Sequence, residues 1–203
     1  MSDTTNNKTN EIKDDIMNVA KELFIRYGLK KTTMDEIATG TRKSKTTIYQ
    51  YFNNKEEILE LILISEGRSL MNSIMKEINK DTNSVSELKT YIRMALNESK
   101  KKILLYSLVR GELKEALFNN YRLKNEIDTI EIELVRNILI NGINSGQFSS
   151  KFKNHIDQLA YFITNFTRGL VIQLVMDDVT GKNSHNYEDS DIFVDIFTKG
   201  LKD

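Results

Sequence analysis

The 203-residue chain contains no cysteine and no proline, and it has only nine glycines. Without cysteine, a disulfide framework, a thiolate metal site and a cysteine nucleophile are all excluded. The absence of proline permits long uninterrupted helices, because no residue forces a break. A cysteine-free composition fits a cytoplasmic protein, and that is the localisation we expect.

Groups with catalytic potential are also scarce. Of the two histidines, His155 has no carboxylate or histidine four residues away, and His185 has only Asp189, within a polar loop. The sequence lacks a phosphate-binding G-x-x-x-x-G-K-S/T loop, a G-x-G-x-x-G turn and a G-x-S-x-G elbow. We therefore predict no enzymatic activity, no metal and no cofactor, and an enzyme with a dispersed site is the weakest alternative.

Long apolar runs are missing as well. The richest run, Leu170–Met176, is interrupted by Gln173, whereas a membrane span needs about 20 apolar residues. The first ten residues, MSDTTNNKTN, contain no apolar segment that would indicate a secretory signal. We expect no membrane partner.

The composition is otherwise that of a globular protein, with 39% hydrophobic and 29% charged residues. Apolar residues recur at steps of three and four, which predicts helices throughout, and no convincing strand run is present. Residues 1–9 are polar and are predicted to form a disordered tail. The first helix then has an apolar face and ends before Gly28. That face consists of Ile12, Ile16, Val19, Ala20, Leu23, Phe24 and Tyr27.

Two short helices follow, and their start signals are clear. Thr33 and Glu36 have the spacing of a capping box, and Ser44 has the chemistry to cap a helix that runs to about Phe52. About four residues separate the two helices, which is typical of a helix-turn-helix unit. Longer helices are predicted beyond Lys55, with a second capping box at Ser84 and Glu87. The fold class is therefore all-α.

The second short helix has two different sides. Ser44, Ile48 and Phe52 form the natural inward stripe, while Thr46, Tyr49 and Gln50 fall on the opposite side, flanked by Lys45 and Thr47. Short hydroxyl, amide and cationic groups of this kind donate to phosphate oxygens and to base edges in the major groove. Tyr51 is ambiguous. The alternative is that all three aromatics of the segment pack into a small three-helix core.

Charge is balanced overall, with 29 basic and 29 acidic residues, but not locally. Residues 26–55 contain seven basic and two acidic side chains. This excess indicates either a nucleic-acid interface or a solvated basic surface. Thr33 and Lys55 begin neighbouring helices, whose N-terminal N–H groups favour phosphate, and we predict that Lys55 contacts a phosphate.

The stretch TTMDEIATGTRKSKTTIYQYFNNKEEIL resembles the N-terminal domain of TetR-family transcriptional repressors. The order S-K-x-T-I-Y-x-Y-F followed by N-K-E-E carries the resemblance, which is clear over about residues 10–60. In that family a glycine usually occupies the turn before the recognition helix, and here the turn holds Thr41, Arg42 and Lys43. Arg42 should either adopt another backbone conformation or accept strain of about 1 kcal/mol or more. Arg42 and Lys43 add two cations beside the groove.

The resemblance implies a helix-turn-helix DNA-binding domain at residues 10–54 and a larger helical regulatory and dimerisation domain at residues 55–203. It implies a homodimeric repressor that binds a near-palindromic operator and is released by a small apolar or amphipathic effector. Pocket candidates, for which core packing is the favoured alternative, are Met94, Tyr106, Phe118, Tyr121, Phe162 and Asn165. Dimer-interface candidates, which could instead form a central core within one subunit, are Leu159, Phe166, Leu170, Leu174, Phe193 and Phe197.

One further class of function stays open. The helix-turn-helix-like unit could bind a protein, so that the chain would be a helical interaction module without DNA-binding activity. Salt-sensitive affinity for DNA separates the two hypotheses, because the basic excess predicts it and a protein-binding module need not show it.

Overall fold

The computed structural model of the chain describes residues 2–78, 83–108, 121–180 and 190–202, with the side chains of residues 2–8, 98–108, 121–127, 172, 174–180, 190, 191 and 193 left undescribed. Within these ranges the structure is helical and has no strand, as the hydrophobic periodicity predicts. The α-helices are α1 (Ser2–Tyr27), α2 (Met34–Gly40), α3 (Lys45–Tyr51), α4 (Lys55–Ile78), α5 (Ser84–Leu108), α6 (Tyr121–Asn144), α7 (Ile156–Thr180) and α8 (Ser190–Gly200). A 3₁₀ helix, Ser150–His155, precedes α7.

The chain divides into two compact units. The first comprises Met1–Glu66 with Leu104–Lys124, and the second comprises Gly67–Ile103 with Asn125–Asp203. The division falls within α4, whereas the predicted boundary lies before that helix at residues 54 and 55. The hydrophobic periodicity of α4 does not indicate where along the helix its packing partners change, so the position of the division could not be predicted from the sequence.

The first unit is built on the predicted apolar stripes. Ile16, Ala20 and Phe24 of α1 are fully buried, and α1 packs on α2, which packs on α3. Helix α1 ends at Tyr27, and Gly28 follows with a φ of 83°, as expected for a glycine that stops a helix. At its other end α1 begins at Ser2 rather than after residue 9. Residues 2–9 contain no proline or glycine that would stop the helix from extending.

The second unit has its own core. Buried side chains from α4 to α8 form one cluster, with Tyr91, Leu88, Ile74 and Val135 completely enclosed. Helix α5 begins as the sequence predicts, but the predicted Ser84 cap is wrong. The side chain of Asn83 accepts hydrogen bonds from the N–H groups of residues 85 and 86, while the Ser84 N–H donates to Gln147 at 2.7 Å.

Among the described residues, no helix is long and apolar enough to cross a membrane.

Candidate nucleic-acid interface

Helix α2 begins at the predicted capping box. The N–H of Glu36 donates to the Thr33 hydroxyl at 3.2 Å, and the Thr33 N–H donates to the Glu36 carboxylate at 2.7 Å. Both orphan donors at the start of the helix are therefore satisfied. Thr33 is exposed, so its position at the start of α2 is open to a ligand, although its polar groups are already used by the cap.

The turn from α2 to α3 closes with two nested hydrogen bonds. The Lys43 N–H donates to the Ala38 carbonyl at 3.0 Å, and the Arg42 N–H donates to the Thr39 carbonyl at 3.1 Å. This is the Schellman pattern, which places the residue after the C-cap in the left-handed region. Arg42 has a φ of 55° there. Of the two expected outcomes, the chain therefore adopts the strained one, and it leaves the Arg42 side chain exposed.

Helix α3 starts and faces as predicted. The Ser44 hydroxyl accepts from the Thr47 N–H at 3.0 Å, and Ile48 and Phe52 are 0% and 1% exposed. Ser44 itself is exposed, because a capping side chain turns back over the helix end and away from the inward stripe. The hypothesis that all three aromatics are core is wrong for Tyr49, which is 46% exposed.

The outward side of α3 consists of polar side chains. Thr46, Tyr49 and Gln50 are all exposed, while Thr47 and Tyr51 are half-buried. Three side chains at positions i, i+3 and i+4 of one short helix thus present two hydroxyls and an amide to solvent. We call Thr46, Tyr49 and Gln50 the α3 face. Its groups both donate and accept hydrogen bonds, which is the chemistry that base edges require.

Two cations beside the α3 face have acidic partners. The Lys43 ammonium lies 2.7 Å from a carboxylate oxygen of Asp15, and the Lys45 ammonium lies 2.7 Å from one of Asp35. Hydrogen bonding and charge attraction to Asp35 raise the pKa of Lys45. A phosphate would have to replace or share a carboxylate as the partner of each lysine.

The Lys55 ammonium has backbone partners. It donates to the carbonyl oxygens of Leu29 at 2.7 Å, Thr32 at 2.9 Å and Lys30 at 3.2 Å. Lys55 is half-buried. The sequence could not indicate these acceptors, because they lie 23 to 26 residues earlier in the chain.

Three of the pocket candidates, Met94, Phe162 and Asn165, have described side chains. Met94 is half-buried against the core of the second unit, and Asn165 donates to the Tyr161 carbonyl of its own helix. Phe162 is 59% exposed, so it does not line an enclosed cavity. Phe118 lies outside the described residues, as do the side chains of Tyr106 and Tyr121.

The dimer-interface candidates are half-buried where the structure describes them. Leu159, Leu170 and Phe197 pack against the core of the second unit, and the Phe166 and Phe197 rings lie 5.0 Å apart. The side chains of Leu174 and Phe193 lie outside the described set. Four other apolar side chains are much more open, and we call them the α7–α8 patch: Tyr161 at 60% exposed, Phe162 at 59%, Ile192 at 57% and Ile196 at 62%.

Sequence reasoning also missed a buried polar network in the second unit. The Tyr91 hydroxyl donates to Glu131 at 2.7 Å, and the Arg168 guanidinium contacts Glu131 at 2.5 Å and Asp128 at 2.7 Å. Burial and the neighbouring Glu131 carboxylate raise the pKa of Tyr91 well above its ordinary value. The described residues hold no cluster of histidine and carboxylate groups suited to a metal ion.

Comparison with known proteins agrees with this geometry. Residues 16–62 match the family of bacterial regulatory proteins described as the tetR family. The HTH-type transcriptional regulator QacR of Staphylococcus aureus is 43% identical over 58 residues, which are 28% of this chain and 31% of QacR. YhgD of Bacillus subtilis, an HTH-type transcriptional regulator described as uncharacterized, is 31% identical over 72 residues, 36% of this chain and 34% of its own length. The matched part of this chain thus spans about a third of each of these two relatives.

Solved structures extend the similarity to most of the chain. A transcriptional regulator from Cytophaga hutchinsonii has a TM-score of 0.69 and 25% identity, covering 93% of this chain and 97% of that one. The fold is also shared with FadR of Bacillus subtilis in complex with stearoyl-CoA, at a TM-score of 0.53 and 20% identity, covering 79% of this chain and 96% of FadR. These findings support a TetR-family transcriptional regulator whose N-terminal family domain lies at residues 16–62.

Proposed function

We propose that the chain is a DNA-binding repressor that acts as a homodimer. Each copy lays α3 in the major groove of one half of a near-palindromic operator, and the two half-sites lie about one helical turn, or a multiple of it, apart. The observation that carries this proposal is the exposure of the α3 face on a helix whose opposite side buries Ile48 and, at the C-cap, Phe52.

The α3 face suits base recognition better than protein burial. Its hydroxyl and amide groups can pair with donors and acceptors on base edges, and unpaired polar groups would be unfavourable in a dry protein interface. Lys43 and Lys45 flank this face and supply charge for phosphate. Their carboxylate partners in the free protein would be exchanged for phosphate oxygens on DNA.

The second unit supports the dimer. The α7–α8 patch exposes four large apolar side chains, and such groups are stabilised by burial against a partner. A second copy of the chain is the partner that the family resemblance implies. The predicted interface residues Leu159, Phe166, Leu170 and Phe197 would then support the patch from behind.

The effector is proposed to be small and apolar or amphipathic. FadR of Bacillus subtilis was solved in complex with stearoyl-CoA, which joins a long apolar chain to a charged head. A ligand of this class would release the operator by binding more tightly to the conformation that does not hold DNA. The candidates Met94 and Asn165, with Tyr106, Tyr121 and Phe118, remain predictions for its site.

Enrichment of duplexes from a random-sequence pool tests the proposed function. We expect the wild-type chain to enrich a near-palindrome and to bind it with an affinity that falls steeply as salt rises. Tyr49→Ala should weaken binding to the enriched duplex about tenfold or more, since a good base contact contributes about 1–3 kcal/mol. Tyr27→Ala is the matched control, because Tyr27 has nearly the same exposure, 47%, on α1.

Two results would contradict the proposal. Failure to enrich any sequence, with weak and salt-insensitive binding, would favour the helical protein-interaction module. An enriched duplex that Tyr49→Ala and Tyr27→Ala bind equally well would remove the α3 face from the contact surface.

A further inference from the structure

The Lys55 ammonium is saturated by backbone acceptors. An ammonium group has three hydrogens, and the structure places three carbonyl oxygens, those of Leu29, Lys30 and Thr32, within 2.7–3.2 Å of the nitrogen. We call these three oxygens the carbonyl cradle. A phosphate oxygen could be bound only by giving up one of these charge-assisted hydrogen bonds.

The cradle exists because the loop after α1 is tightly folded. Gly28 adopts a φ of 83° at the end of the helix. The Thr32 hydroxyl and the Thr32 N–H then both donate back to the Gly28 carbonyl, at 2.8 and 3.2 Å. Thr32 is fully buried and Leu29 nearly so. The short loop therefore turns its carbonyls toward one point, and the first residue of α4 occupies that point.

The cradle joins the starts of two helices. Thr33, the cap of α2, comes directly after Thr32, so the Lys55 ammonium holds the entry to α2 against the first turn of α4. Helix α2 in turn packs on α3 and passes into it through the Arg42 turn. A displacement of the loop would therefore move α2 and, through it, the α3 face.

We propose that Lys55 is a positioning residue for DNA binding, which fixes the loop of residues 28–32 and through it α2 and α3, and that it does not itself bind phosphate. The proposal rests on the proposed function of the α3 face. Lys55 is thereby distinguished from Lys45, which is exposed and has an exposed carboxylate as its partner. The two lysines should respond differently to substitution.

The identity of the cation should matter at position 55. Lysine is a compact point charge with three diverging donors, whereas the donors of arginine lie in one plane. Arginine satisfies phosphate well but is unsuited to three oxygens that surround one nitrogen. Lys55→Arg therefore keeps the charge and loses the cradle, and Lys55→Ala loses both. Lys45→Ala is the matched control that removes a neighbouring cation and leaves the cradle intact.

The first measurement needs no DNA. Amide hydrogen exchange followed by mass spectrometry should show about tenfold faster exchange of residues 28–36 in Lys55→Ala and Lys55→Arg, because the local opening free energy falls. Exchange in α6 should match the wild type, which establishes that the chain is folded. Unchanged exchange at residues 28–36 in both variants would overturn the cradle as a restraint.

The second measurement uses the duplex enriched by the wild-type chain. Lys55→Ala and Lys55→Arg should both weaken binding, with the slope of log K against log salt unchanged, whereas Lys45→Ala should lower that slope by about 1. A lower slope in Lys55→Ala with binding retained in Lys55→Arg would identify a phosphate contact and overturn the proposal. Normal binding by both Lys55 variants, despite faster loop exchange, would leave Lys55 a purely structural role and overturn it equally.

The two measurements separate this proposal from the proposed function. If the wild-type chain binds no duplex, the proposed function fails and a role of Lys55 in DNA binding fails with it, while the exchange experiment still decides whether the cradle holds the loop. If the wild type binds and only the Lys55 predictions fail, the α3 face stands and the positioning role does not.

Discussion

The α3 face and the α7–α8 patch are both exposed, but they expose opposite chemistry. Every member of the α3 face ends in a hydroxyl or an amide, whereas Phe162, Ile192 and Ile196 in the α7–α8 patch carry no polar side-chain atom. Base edges and phosphates need hydrogen-bonding partners, and apolar side chains are stabilised by removal from water. Exposure alone therefore does not define a partner. The terminal atoms of the exposed groups suit the proposed partners, which are duplex DNA for the α3 face and a second copy of the chain for the α7–α8 patch.

Helices α2 and α6 end with the same hydrogen-bond pattern, but a different residue occupies the left-handed position in each turn. After α6, the Gln147 N–H donates to the Gly142 carbonyl at 2.8 Å and the Gly146 N–H donates to the Ile143 carbonyl at 3.2 Å. Gly146 has a φ of 73° there, and Arg42 has one of 55° in the turn before α3. Glycine adopts this conformation without steric strain, and arginine does not. The chain accepts strain at the turn where an added cation would face DNA.

The largest expected effect comes from placing charge on the α7–α8 patch. In the double variant Phe162→Asp with Ile196→Asp, burial of the patch against a second copy would be lost, at about 1.5–3 kcal/mol per large side chain. The dissociation constant of the dimer, measured by sedimentation velocity, should rise about a hundredfold or more. Tyr27→Asp is the control, because it adds a charge at an exposed aromatic position of the first unit. An unchanged dimer in the double variant would remove the patch from the interface.

The next largest effect is the loss of a buried hydrogen bond, compared with the loss of a hydroxyl at an exposed position. Tyr91→Phe removes the donor to Glu131 and leaves a buried carboxylate with one hydrogen bond fewer, so the free energy of unfolding should fall by about 2 kcal/mol. Urea unfolding at neutral pH measures this loss. The control is Tyr27→Phe at an exposed tyrosine of α1, for which no change is expected, and an equal effect of the two variants would contradict the role of the network.

The same variant has a pH signature with a definite sign. Burial raises the pKa of Tyr91 well above its ordinary value of 10.0. The stability contributed by its protonated hydroxyl is therefore complete below pH 10 and is lost as pH rises through the higher folded-state value. Wild-type unfolding free energy should fall above pH 10, and Tyr91→Phe should lack this component. If the free energy of unfolding fell equally above pH 10 in the wild type and in Tyr91→Phe, Tyr91 would not be the cause of the decline.

A smaller effect tests the polar chemistry of the α3 face. Tyr49→Phe keeps the ring and removes only the hydroxyl, so affinity for the enriched duplex should fall several-fold, corresponding to about 1 kcal/mol for one hydrogen bond. Fluorescence anisotropy with the labelled duplex measures the change, and Tyr27→Phe, at an exposed tyrosine of α1, serves as the control outside this face. If Tyr49→Phe bound as tightly as wild type, the hydroxyl would have no part in recognition.

The smallest effect concerns the left-handed residues of the two turns, Arg42 and Gly146. Arg42→Gly relieves left-handed strain of about 1–2 kcal/mol but loses part of this gain to the entropy of glycine, for a net stabilisation of roughly 0.5 kcal/mol. DNA affinity should fall at the same time, because a cation is removed. Gly146→Ala should instead destabilise the chain and leave the DNA contacts unaffected. Thermal unfolding and anisotropy together check both variants. If Arg42→Gly lowered stability, the strain argument would fail.

Local chemistry explains which features were predictable. The caps at Thr33 and Ser44 depend on residues three positions apart, and the burial of Ile48 and Phe52 follows from one turn of helix. The conformation at Arg42 could be anticipated because the family usually has glycine at that turn. Each of these signals lies within a few residues of its consequence.

Features that depend on distant residues could not be predicted. The acceptors of Lys55 are brought to it by the fold of the first unit, and Tyr91 lies 40 residues from Glu131. Phe162 was a pocket candidate because an aromatic on an apolar helix has no mark that separates an inner from an outer position. The cap of α5 was assigned to the wrong one of two adjacent polar residues: Asn83 caps the helix, and the prediction was Ser84.

Photocrosslinking from the α3 face would detect contact between the proposed recognition helix and DNA. With p-benzoylphenylalanine at Tyr49, irradiation in the presence of the enriched duplex should link protein to DNA, and the same group at Tyr27 or Tyr161 should give little or no DNA product. Crosslinks to DNA from Tyr27 or Tyr161 with none from Tyr49, under conditions where all three proteins bind the duplex, would contradict the assignment of α3 as the recognition helix.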